Sequence, residues 1–402
     1  MISVGIDVSK SKSMVCFLTT AGEVLKAPYE ISHTKEDLLK LVKEIQGFGN
    51  DVKVVLEATG YYHMPIVQYL HRNGIFVGII NSLVMSKYSK ISIRKGKTDK
   101  IDALKIASYG IMNWYNIQEY MPENSIYAEL RLLSRQYYQY MNIKIKSKTT
   151  LLQLCDKTMP NIAPLLENSG YKPEKSKLIT FTRIFWHSEK IIEKSESQFV
   201  KCYMRWAKRE GYHENESKAK KIYAIALSSI PIISCNIVSI KMLMLEAARV
   251  LSEVEKTLGN ILSQMRDLAK SSIEYSMVRD MKGLGDKLAP RWIAEIGDVR
   301  RFKSAKALVA YAGIDSPPYQ SGAFTGTQRK ISKRGSKYLR KTGYEIMQSI
   351  TRHKPTEDAA VYNFMLKKES EGKAKKVAKI AGLNKFLHIY YARVKELYEN
   401  AN

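Results

Sequence analysis

The chain opens on a short apolar run that ends in an acid, ISVGIDV at residues 2–8. Apolar segments separated by turn residues continue through the first 114 residues. Further strands are predicted at 14–20, 24–31, 51–58 and 75–81, and helices at 34–46, 62–73 and 98–114. Thr34 is the expected N-cap of the first helix. Strands followed by alternating helices and strands predict a mixed α/β sheet covered by helices.

The middle of the chain has a different pattern, with few strand signals between about 125 and 275. Residues 240–268 carry a 4-3 apolar repeat: Ile240, Met244, Ala247, Leu251, Val254, Leu258, Ile261, Met265 and Leu268. At about 1.5 Å per residue, four heptads make a rod of roughly 40 Å. The repeat predicts a coiled-coil arm that pairs with residues 125–155 or with another protomer; a helix of an internal bundle is the alternative. Residues 156–235 are irregular and carry no prediction.

The composition is strongly basic. Lys plus Arg number 65 and Asp plus Glu 39, which gives a formal net charge of +26 over 402 residues. A basic surface gains free energy by releasing counterions from a polyanion, so the charge favours nucleic acid as a partner. A membrane surface and a merely soluble basic protein are the alternatives. The length suggests two to three domains.

Several classes of protein are excluded. No stretch approaches the roughly 18 to 20 apolar residues of a membrane span, and the first residues lack a signal-peptide apolar region. We therefore expect a cytoplasmic protein with no membrane partner. The four cysteines are scattered without paired short spacing, which argues against a zinc site and against a disulfide framework.

Four acids of the first region favour a joint interpretation. Asp7 lies near the end of the first strand, and Glu57 ends the fourth. Asp99 and Asp102, in KTDKIDALK, are three positions apart and so share a helix face. Carboxylates at adjacent strand ends and on a helix can form a pocket for hard ions such as Mg²⁺, and two ions suit phosphoryl transfer. For each acid alone, the alternative is surface solvation or a helix cap.

The segment at 311–345 is the second candidate for chemistry. From Ser321 to Lys341 it holds seven basic residues and no acid. A small hydroxyl beside glycine and flanked by cations is the environment that a phosphate-attacking nucleophile needs. Because no His lies within the segment, we expect the activating group to come from elsewhere, such as the acidic cluster. A Ser/Gly loop that binds phosphate without chemistry is the alternative.

The C-terminal region starts near 277 and ends in a basic, mostly helical tail. Gly283-Leu284-Gly285 lies between two amphipathic turns at 278–297, which is typical of a helix-hairpin-helix that offers backbone N–H groups to phosphate. An ordinary helix–turn–helix packing unit fits the pattern as well. We predict three parts: a catalytic domain at 1–120, a helical and coiled-coil region at 121–276, and a domain carrying the serine at 277–402.

In combination these motifs resemble the DEDD transposases of the insertion-sequence-one-ten family, also described as bridge-RNA-guided recombinases. The N-terminal motifs are GIDVSK at 5–10, LEATGYY at 56–62 and KTDKIDA at 97–103. The C-terminal motifs are KGLG at 282–285, AEIGDVRRF at 294–302, YAGI at 311–314, QSG at 320–322 and ISKRGSKYLR at 331–340. The resemblance covers nearly the whole chain and implies an α/β plus α fold: an N-terminal RuvC-like domain with an RNase H fold, a helical arm, and a mostly helical C-terminal transposase domain.

The resemblance also implies roles for residues. Asp7, Glu57, Asp99 and Asp102 would be the DEDD ligands of Mg²⁺, two ions per site, and Ser321 would be the nucleophile that forms a phosphoserine link to DNA. Basic residues near both motifs are predicted to contact nucleic acid: Lys95, Lys97, Lys100, Arg329, Lys330, Lys333, Arg334, Lys337 and Arg340.

The implied partners are donor DNA, target DNA and a structured bridge RNA whose pairing chooses both sites. The family's composite site, with acids of one protomer and the serine of another, implies a homodimer or a tetramer of a bacterial, nucleoid-associated enzyme. Two other functions remain open from the sequence. One is a RuvC-like junction nuclease that uses water, and the other is a non-catalytic nucleic-acid-binding scaffold with structural acids.

Overall fold

The structure, a computed structural model, describes residues 1–90, 98–166, 176–318, 320–321, 324–326 and 330–401. Of residues 321, 324 and 325 only the backbone is described. The chain divides into two compact units, Met1–Glu123 and Asn124–Asn402, and each is described by itself. The three-part division stays a prediction.

The first unit is built on a five-stranded mixed sheet. Its strands are β1 (Ile2–Val8), β2 (Lys12–Thr19), β3 (Val24–Ser32), β4 (Val52–Glu57) and β5 (Val77–Ile80), in the spatial order β3-β2-β1-β4-β5. Short turns make β1, β2 and β3 antiparallel neighbours, whereas β4 lies parallel to β1 and β5 parallel to β4. Parallel neighbours need a longer connection. The connection from β1 to β4 runs through β2, β3 and a helix, and another helix connects β4 to β5. The predicted mixed sheet is confirmed.

Helices cover both faces of this sheet. They are α1 (Lys35–Gly47), α2 (Met64–Arg72), α3 (Ser82–Tyr88) and α4 (Asp99–Met112). Thr34 is the N-cap of α1, as predicted, and its hydroxyl accepts the N–H of Asp37 at 3.2 Å. One face packs Ile6 and Leu56 under α1 and α2, while Val55 packs with Ile106 of α4 on the other. This alternation follows from the two-residue period of a strand.

The second unit is mostly helical. Its helices are α5 (Ser125–Thr158), α6 (Lys177–Thr182), α7 (Ser188–Ile192), α8 (Glu196–Glu210), α9 (Glu216–Ser228), α10 (Val238–Ala269), α11 (Tyr275–Asp280), α12 (Gly285–Ile296), α13 (Ala305–Ala312), α14 (Lys337–His353), α15 (Ala360–Ser370) and α16 (Lys375–Asn400). Two-residue strands β6 (Gln320–Ser321) and β7 (Phe324–Thr325) pair with each other. Among the described residues, no helix is both long and apolar enough to cross a membrane.

Two long helices join two separate hydrophobic cores in this unit. Helix α10 packs on α5 within the same chain, one of the pairings that the sequence left open. The end of α5 and the start of α10 share a core that includes Cys155 and Met244. The start of α5 and the end of α10 share another, which includes Leu130 and Met265. The two helices therefore run antiparallel.

The buried face of α10 departs by one residue from the heptad repeat at two positions. Ala248 and Ala269 are buried, whereas their neighbours Ala247 and Leu268, which the repeat selected, are only partly buried. The departures are local, because other positions of the repeat are buried as it predicts: Leu251, Val254, Leu258 and Met265. The repeat thus located the helix correctly but not every buried position.

Candidate active site

Asp7 and Glu57 are placed side by side by the sheet register. Strands β1 and β4 are parallel, and the last registered pair is Ile6 with Leu56. The next position in the same register pairs Asp7 with Glu57. Because side chains alternate along a strand, both acids point away from the core that holds Ile6 and Leu56. Both are half-buried at the carboxyl ends of their strands.

Helix α4 lies directly on the face to which these two acids point. A Cβ on Gly5 would come within 2.3 Å of the Ala103 carbonyl oxygen and of the Ala107 nitrogen, so only glycine allows this approach. Further along, a Cβ on Gly110 would come within 2.1 Å of Ser3 Oγ. As β1 runs from Ser3 to Asp7, α4 runs the opposite way. The first turn of α4 is therefore at the Asp7 end of the strand.

That first turn carries the other two acids. Thr98 is its N-cap and accepts the N–H of Ile101 at 3.2 Å. Asp99 is exposed, and a carboxylate oxygen of Asp102 lies 3.6 Å from the Lys105 ammonium. Acids in the first turn are stabilised by the unpaired N–H groups and the dipole of the helix.

Asp99 also acts on the neighbouring β-turn. The pKa of Lys12 is raised, mainly by its hydrogen bond to Glu30 and by the charge of Glu30, and to a smaller extent by the charge of Asp99. Lys12 begins β2, directly after the turn that follows β1. Asp99 is thus electrostatically linked to the same edge of the sheet at which Asp7 and Glu57 end.

The chemistry of this donor set fits a hard divalent cation, because all four predicted ligands offer carboxylate oxygens. Within the described ranges, no three or more His, Cys, Asp or Glu side chains are gathered closely enough to hold a metal ion. The backbone brings the four acids to the same end of the sheet.

Two stretches, residues 311–315 and 332–336, flank the part of the chain that carries Ser321 and are joined to each other. Three backbone hydrogen bonds join the two stretches: Ser332 to Asp315 at 2.8 Å, Lys333 to Gly313 at 3.0 Å and Ser336 to Tyr311 at 2.7 Å. The hydroxyl of Ser332 also donates to the Asp315 carboxylate. We call these two stretches the serine-segment base.

The serine-segment base is packed without spare room. A Cβ on Gly335 would come within 2.1 Å of the Tyr311 carbonyl oxygen and within 2.5 Å of the Gly313 nitrogen. Arg340 closes the base from the side, since its guanidinium donates to the Ala312 carbonyl at 2.9 Å. Ser321 itself pairs with Phe324 in the β6–β7 ladder. The Ser321 side chain lies outside the described part of the chain.

The basic residues predicted to contact nucleic acid differ in exposure. Those that are exposed are Lys100, Lys330, Lys333, Arg334 and Lys337. Arg340 is half-buried, with its guanidinium engaged in the serine-segment base. Lys95, Lys97 and Arg329 lie outside the described residues.

The predicted hairpin at 278–297 is formed by α11 and α12. They are joined by a turn at 281–284, in which Gly283 has a φ of +94°. Ile346 and Ile350 of α14 pack against this glycine. One side of the turn is therefore buried against α14, and a contact of its N–H groups with phosphate stays a prediction.

Sequence reasoning missed two buried charged residues of α12, of which Glu295 lies beneath the serine-segment base and Arg291 pairs further along α14. Glu295 is fully buried in α12, and Arg291, one turn earlier, is almost so. Arg291 donates to Glu345 and to the Tyr138 hydroxyl, each at 2.8 Å. The available signal was an acid inside the apolar helical run WIAEI at 292–296, because a buried acid needs partners.

Comparison with known families agrees with the resemblance that the sequence motifs carry. A model of DEDD transposases, described as "Transposase", matches residues 4–160. A second model, described as "Transposase IS116/IS110/IS902 family", matches residues 275–363. The chain belongs to the IS110 family of transposases, the family that the sequence motifs resemble.

Relatives match the chain almost from end to end. The pilin gene-inverting proteins of Moraxella lacunata and Moraxella bovis are each 21% identical over 398 residues, 98% of this chain and 95% of theirs. An uncharacterized 44.8 kDa protein of insertion element IS116 from Streptomyces clavuligerus is 22% identical over 376 residues, 92% of this chain and 89% of its own. Both units are therefore shared with these relatives.

Two solved structures match a smaller part of the chain. RuvC of Thermus thermophilus, in complex with a Holliday junction substrate, covers 29% of this chain and 96% of its own, with 9% identity and a TM-score of 0.23. A second Thermus thermophilus RuvC structure covers 30% and 99%, with 10% identity and a TM-score of 0.24.

Proposed function

We propose that this transposase is a DNA recombinase that cuts and rejoins DNA through a covalent link between Ser321 and a DNA phosphate. The observation that carries the proposal is the placement of four acids at one sheet edge of a transposase: Asp7 and Glu57 by register, and Asp99 and Asp102 by the first turn of α4. A RuvC-like, RNase H-type first unit is part of the same proposal.

The four acids would hold Mg²⁺, two ions per site. Their donor set is oxygen only, and two of the four come from strands whose register leaves little freedom. Divalent ions held by these carboxylates would supply positive charge that stabilises the transition state of phosphoryl transfer. The role of the chain is to present the carboxylates along a rigid edge, so that little reorganisation accompanies the reaction.

Ser321 supplies the nucleophile in this mechanism. Its Oγ loses a proton and bonds to phosphorus while a phosphorus–oxygen bond of the strand breaks, and the departing sugar oxygen takes up a proton. Attack by a new sugar hydroxyl reverses these changes and rejoins the DNA. The exposed cations Lys330, Lys333, Arg334 and Lys337 stabilise the charge on the phosphate.

The partners proposed are donor DNA, target DNA and a structured RNA. The net charge of +26 supports a large polyanionic partner. In this scheme base pairing selects the sequence and the protein binds the backbone. A homodimer or tetramer would combine the acids of one protomer with Ser321 of another. RNA that co-purifies with the protein and resists removal at low salt is expected; purification free of RNA under those conditions would contradict this part.

The nucleophile is tested by Ser321→Ala, with Ser316→Ala as the matched control. Ser316 is exposed in the same segment but outside the proposed chemistry. We expect denaturing electrophoresis to show a protein–DNA adduct with the unaltered chain and with Ser316→Ala, and none with Ser321→Ala. An adduct that persists in Ser321→Ala would refute the assignment.

The same experiment separates the two other functions. A RuvC-like nuclease that uses water would cleave DNA equally well with Ser321→Ala and form no adduct in any variant. A non-catalytic scaffold would bind DNA in a salt-sensitive manner but cleave none with any divalent ion.

The metal site is tested by Asp102→Asn, with Glu36→Gln, an exposed acid of α1, as the control. A ligand that binds only the folded state raises the melting temperature. We expect Mn²⁺ or Mg²⁺ to raise that temperature in the unaltered chain and in Glu36→Gln, and less in Asp102→Asn. Equal shifts in all three proteins would exclude Asp102 as a ligand, whatever the activity.

A further inference from the structure

A fully buried carboxylate lies beneath the serine-segment base. Glu295 has no exposed surface, and it accepts hydrogen bonds from Ser134 at 2.9 Å and from Ser336 at 3.2 Å. The Arg135 guanidinium forms an ion pair with it at 3.1 Å. A buried charge is costly unless it is paired and hydrogen-bonded, so these three partners are what allows an acid at this position.

Ser336 links α14 both to Glu295 and to the serine-segment base. Its hydroxyl is the N-cap of α14 and accepts the N–H of Leu339 at 3.1 Å, while the same hydroxyl donates to Glu295. Its backbone N–H donates to Tyr311 in the serine-segment base. The orientation of Ser336 is thus fixed by contacts with α12, with the last turn of α13 and with α14 itself.

Arg135 provides a second contact between Glu295 and the first turn of α14. Its guanidinium is paired with Glu295 and lies 3.8 Å from the centre of the Tyr338 ring. Glu295 is therefore joined to α14 twice, through Ser336 directly and through Arg135 to Tyr338.

The fixed position of Ser336 also constrains the serine-segment base, which flanks the part of the chain that carries Ser321. Lys333 has a φ of +54°, an uncommon backbone conformation for a residue other than glycine. Gly335 has no space for a side chain, and Ser332 is bonded to Asp315 through both backbone and side chain. A displacement of Ser336 would therefore shift both ends of the segment that carries the nucleophile.

We propose that Glu295 is a positioning residue. By fixing Ser336, it determines the position of the segment that carries Ser321. The inference rests on the proposed role of Ser321. Misplacing a reacting group by about 1 Å can cost about 100-fold in rate. Loss of the Glu295–Ser336 bond should consequently slow adduct formation while leaving the affinity for DNA unchanged.

A second ion pair between the same helices provides the matched control. Arg291 of α12 and Glu345 of α14 are 2.8 Å apart, with Arg291 almost fully buried. Glu345 lies about 2.5 turns beyond Ser336, away from the serine-segment base. Glu345→Gln therefore perturbs the packing of α12 on α14 without touching the base.

The first experiment compares Glu295→Gln with Glu345→Gln. Adduct formation is measured in a single turnover at saturating DNA, with DNA affinity and melting temperature measured in parallel. We expect Glu295→Gln to slow the reaction by about 10- to 100-fold at unchanged affinity, and Glu345→Gln to lose stability while keeping a rate within about twofold of the unaltered chain. Equal rates in the two variants would reduce Glu295 to a structural role and overturn the proposal.

The second experiment uses the conservative replacement of Ser336. Thr and Asp both cap helices well, but only Thr keeps a hydroxyl that donates to Glu295. Ser336→Thr should retain the rate, and Ser336→Asp should lose it because its carboxylate repels Glu295. Loss of rate in both, or in neither, would contradict the mechanism.

Ser321→Ala in the same series separates the two proposals. If Ser321→Ala abolishes the adduct while Glu295→Gln and Ser336→Asp react normally, only the positioning role fails. If the adduct survives in Ser321→Ala, the proposed function fails and the positioning role fails with it.

Discussion

The two units present their candidate catalytic groups in different ways. In the first unit, Asp7 and Glu57 are placed by the register of a sheet, and Asp99 and Asp102 by a capped helix that lies on that sheet. In the second unit, Ser321 is carried on a segment whose base is fixed by hydrogen bonds and by a buried carboxylate. Regular elements thus fix the acids, whereas a polar network fixes the approach to the serine. We therefore expect the first unit to be most sensitive to substitutions that introduce a steric clash between helix and strand. The second unit should be most sensitive to substitutions that remove a single polar contact.

The largest effect is expected where α4 meets β1. In Gly5→Ala the new Cβ would collide with the backbone of Ala103 and Ala107. The helix would have to move off the strand, and we expect the free energy of unfolding to fall by about 3 kcal/mol or more. Denaturant unfolding of the full chain measures it.

Gly47→Ala is the control for that experiment, since a Cβ there meets nothing within 4 Å. It should leave the stability within about 0.5 kcal/mol of the unaltered chain. If Gly5→Ala were as stable as Gly47→Ala, α4 would not rest on β1 as described, and the register argument for the acids would lose its support.

The regular part of this comparison was predictable from the sequence. Alternation and turn residues located the five strands of the first unit, and Thr34 was identified as a cap because a hydroxyl before an apolar-periodic run satisfies a free N–H. The acids could be grouped because they end predicted strands or begin a predicted helix. Helix α3, at Ser82–Tyr88, was missed because it is too short to show a period.

Parts of the second unit were not predictable from the sequence, for two physical reasons. Helices α6 and α7 in the 156–235 region have six and five residues, fewer than the 11 to 18 over which a period can be detected. The partners of Glu295 come from Ser134 and Ser336, which are distant in sequence, and such contacts leave no local pattern. The one local signal was the acid in an apolar helix.

A smaller effect is expected at the serine-segment base. The Cβ of Gly335→Ala would press on the Tyr311 carbonyl. Because the base is a loop with more freedom to adjust than a helix on a sheet, we expect a loss of about 1–3 kcal/mol in unfolding free energy. The rate of adduct formation should fall as well, since the base leads to Ser321.

Gly259→Ala in α10 is the control, because its Cβ meets nothing within 4 Å. A glycine within a helix costs about 0.5–1 kcal/mol relative to alanine, so this variant should be slightly more stable and react at the normal rate. A Gly335→Ala protein with normal stability and rate would mean that the base does not constrain the serine segment.

The smallest effect is a pH dependence of the first unit. Burial lowers the pKa of His63, despite a hydrogen bond with the Thr59 backbone that raises it. The folded chain therefore binds this proton less readily than the unfolded chain. Stability is complete above the ordinary histidine pKa of about 6.5 and falls as the pH drops through that value. We therefore expect the melting temperature to fall as the pH is lowered from 8 to 5.

His63→Leu tests the origin of that dependence. The His63 side chain makes no capping hydrogen bond to α2, so its replacement removes the titration without removing a cap. We expect a flatter profile of melting temperature against pH in His63→Leu, and an unchanged profile in His213→Gln, whose histidine is exposed in the second unit. His63 lies six residues after Glu57 in the first unit. If the profile flattens in neither variant, groups other than His63 cause the loss of stability at low pH.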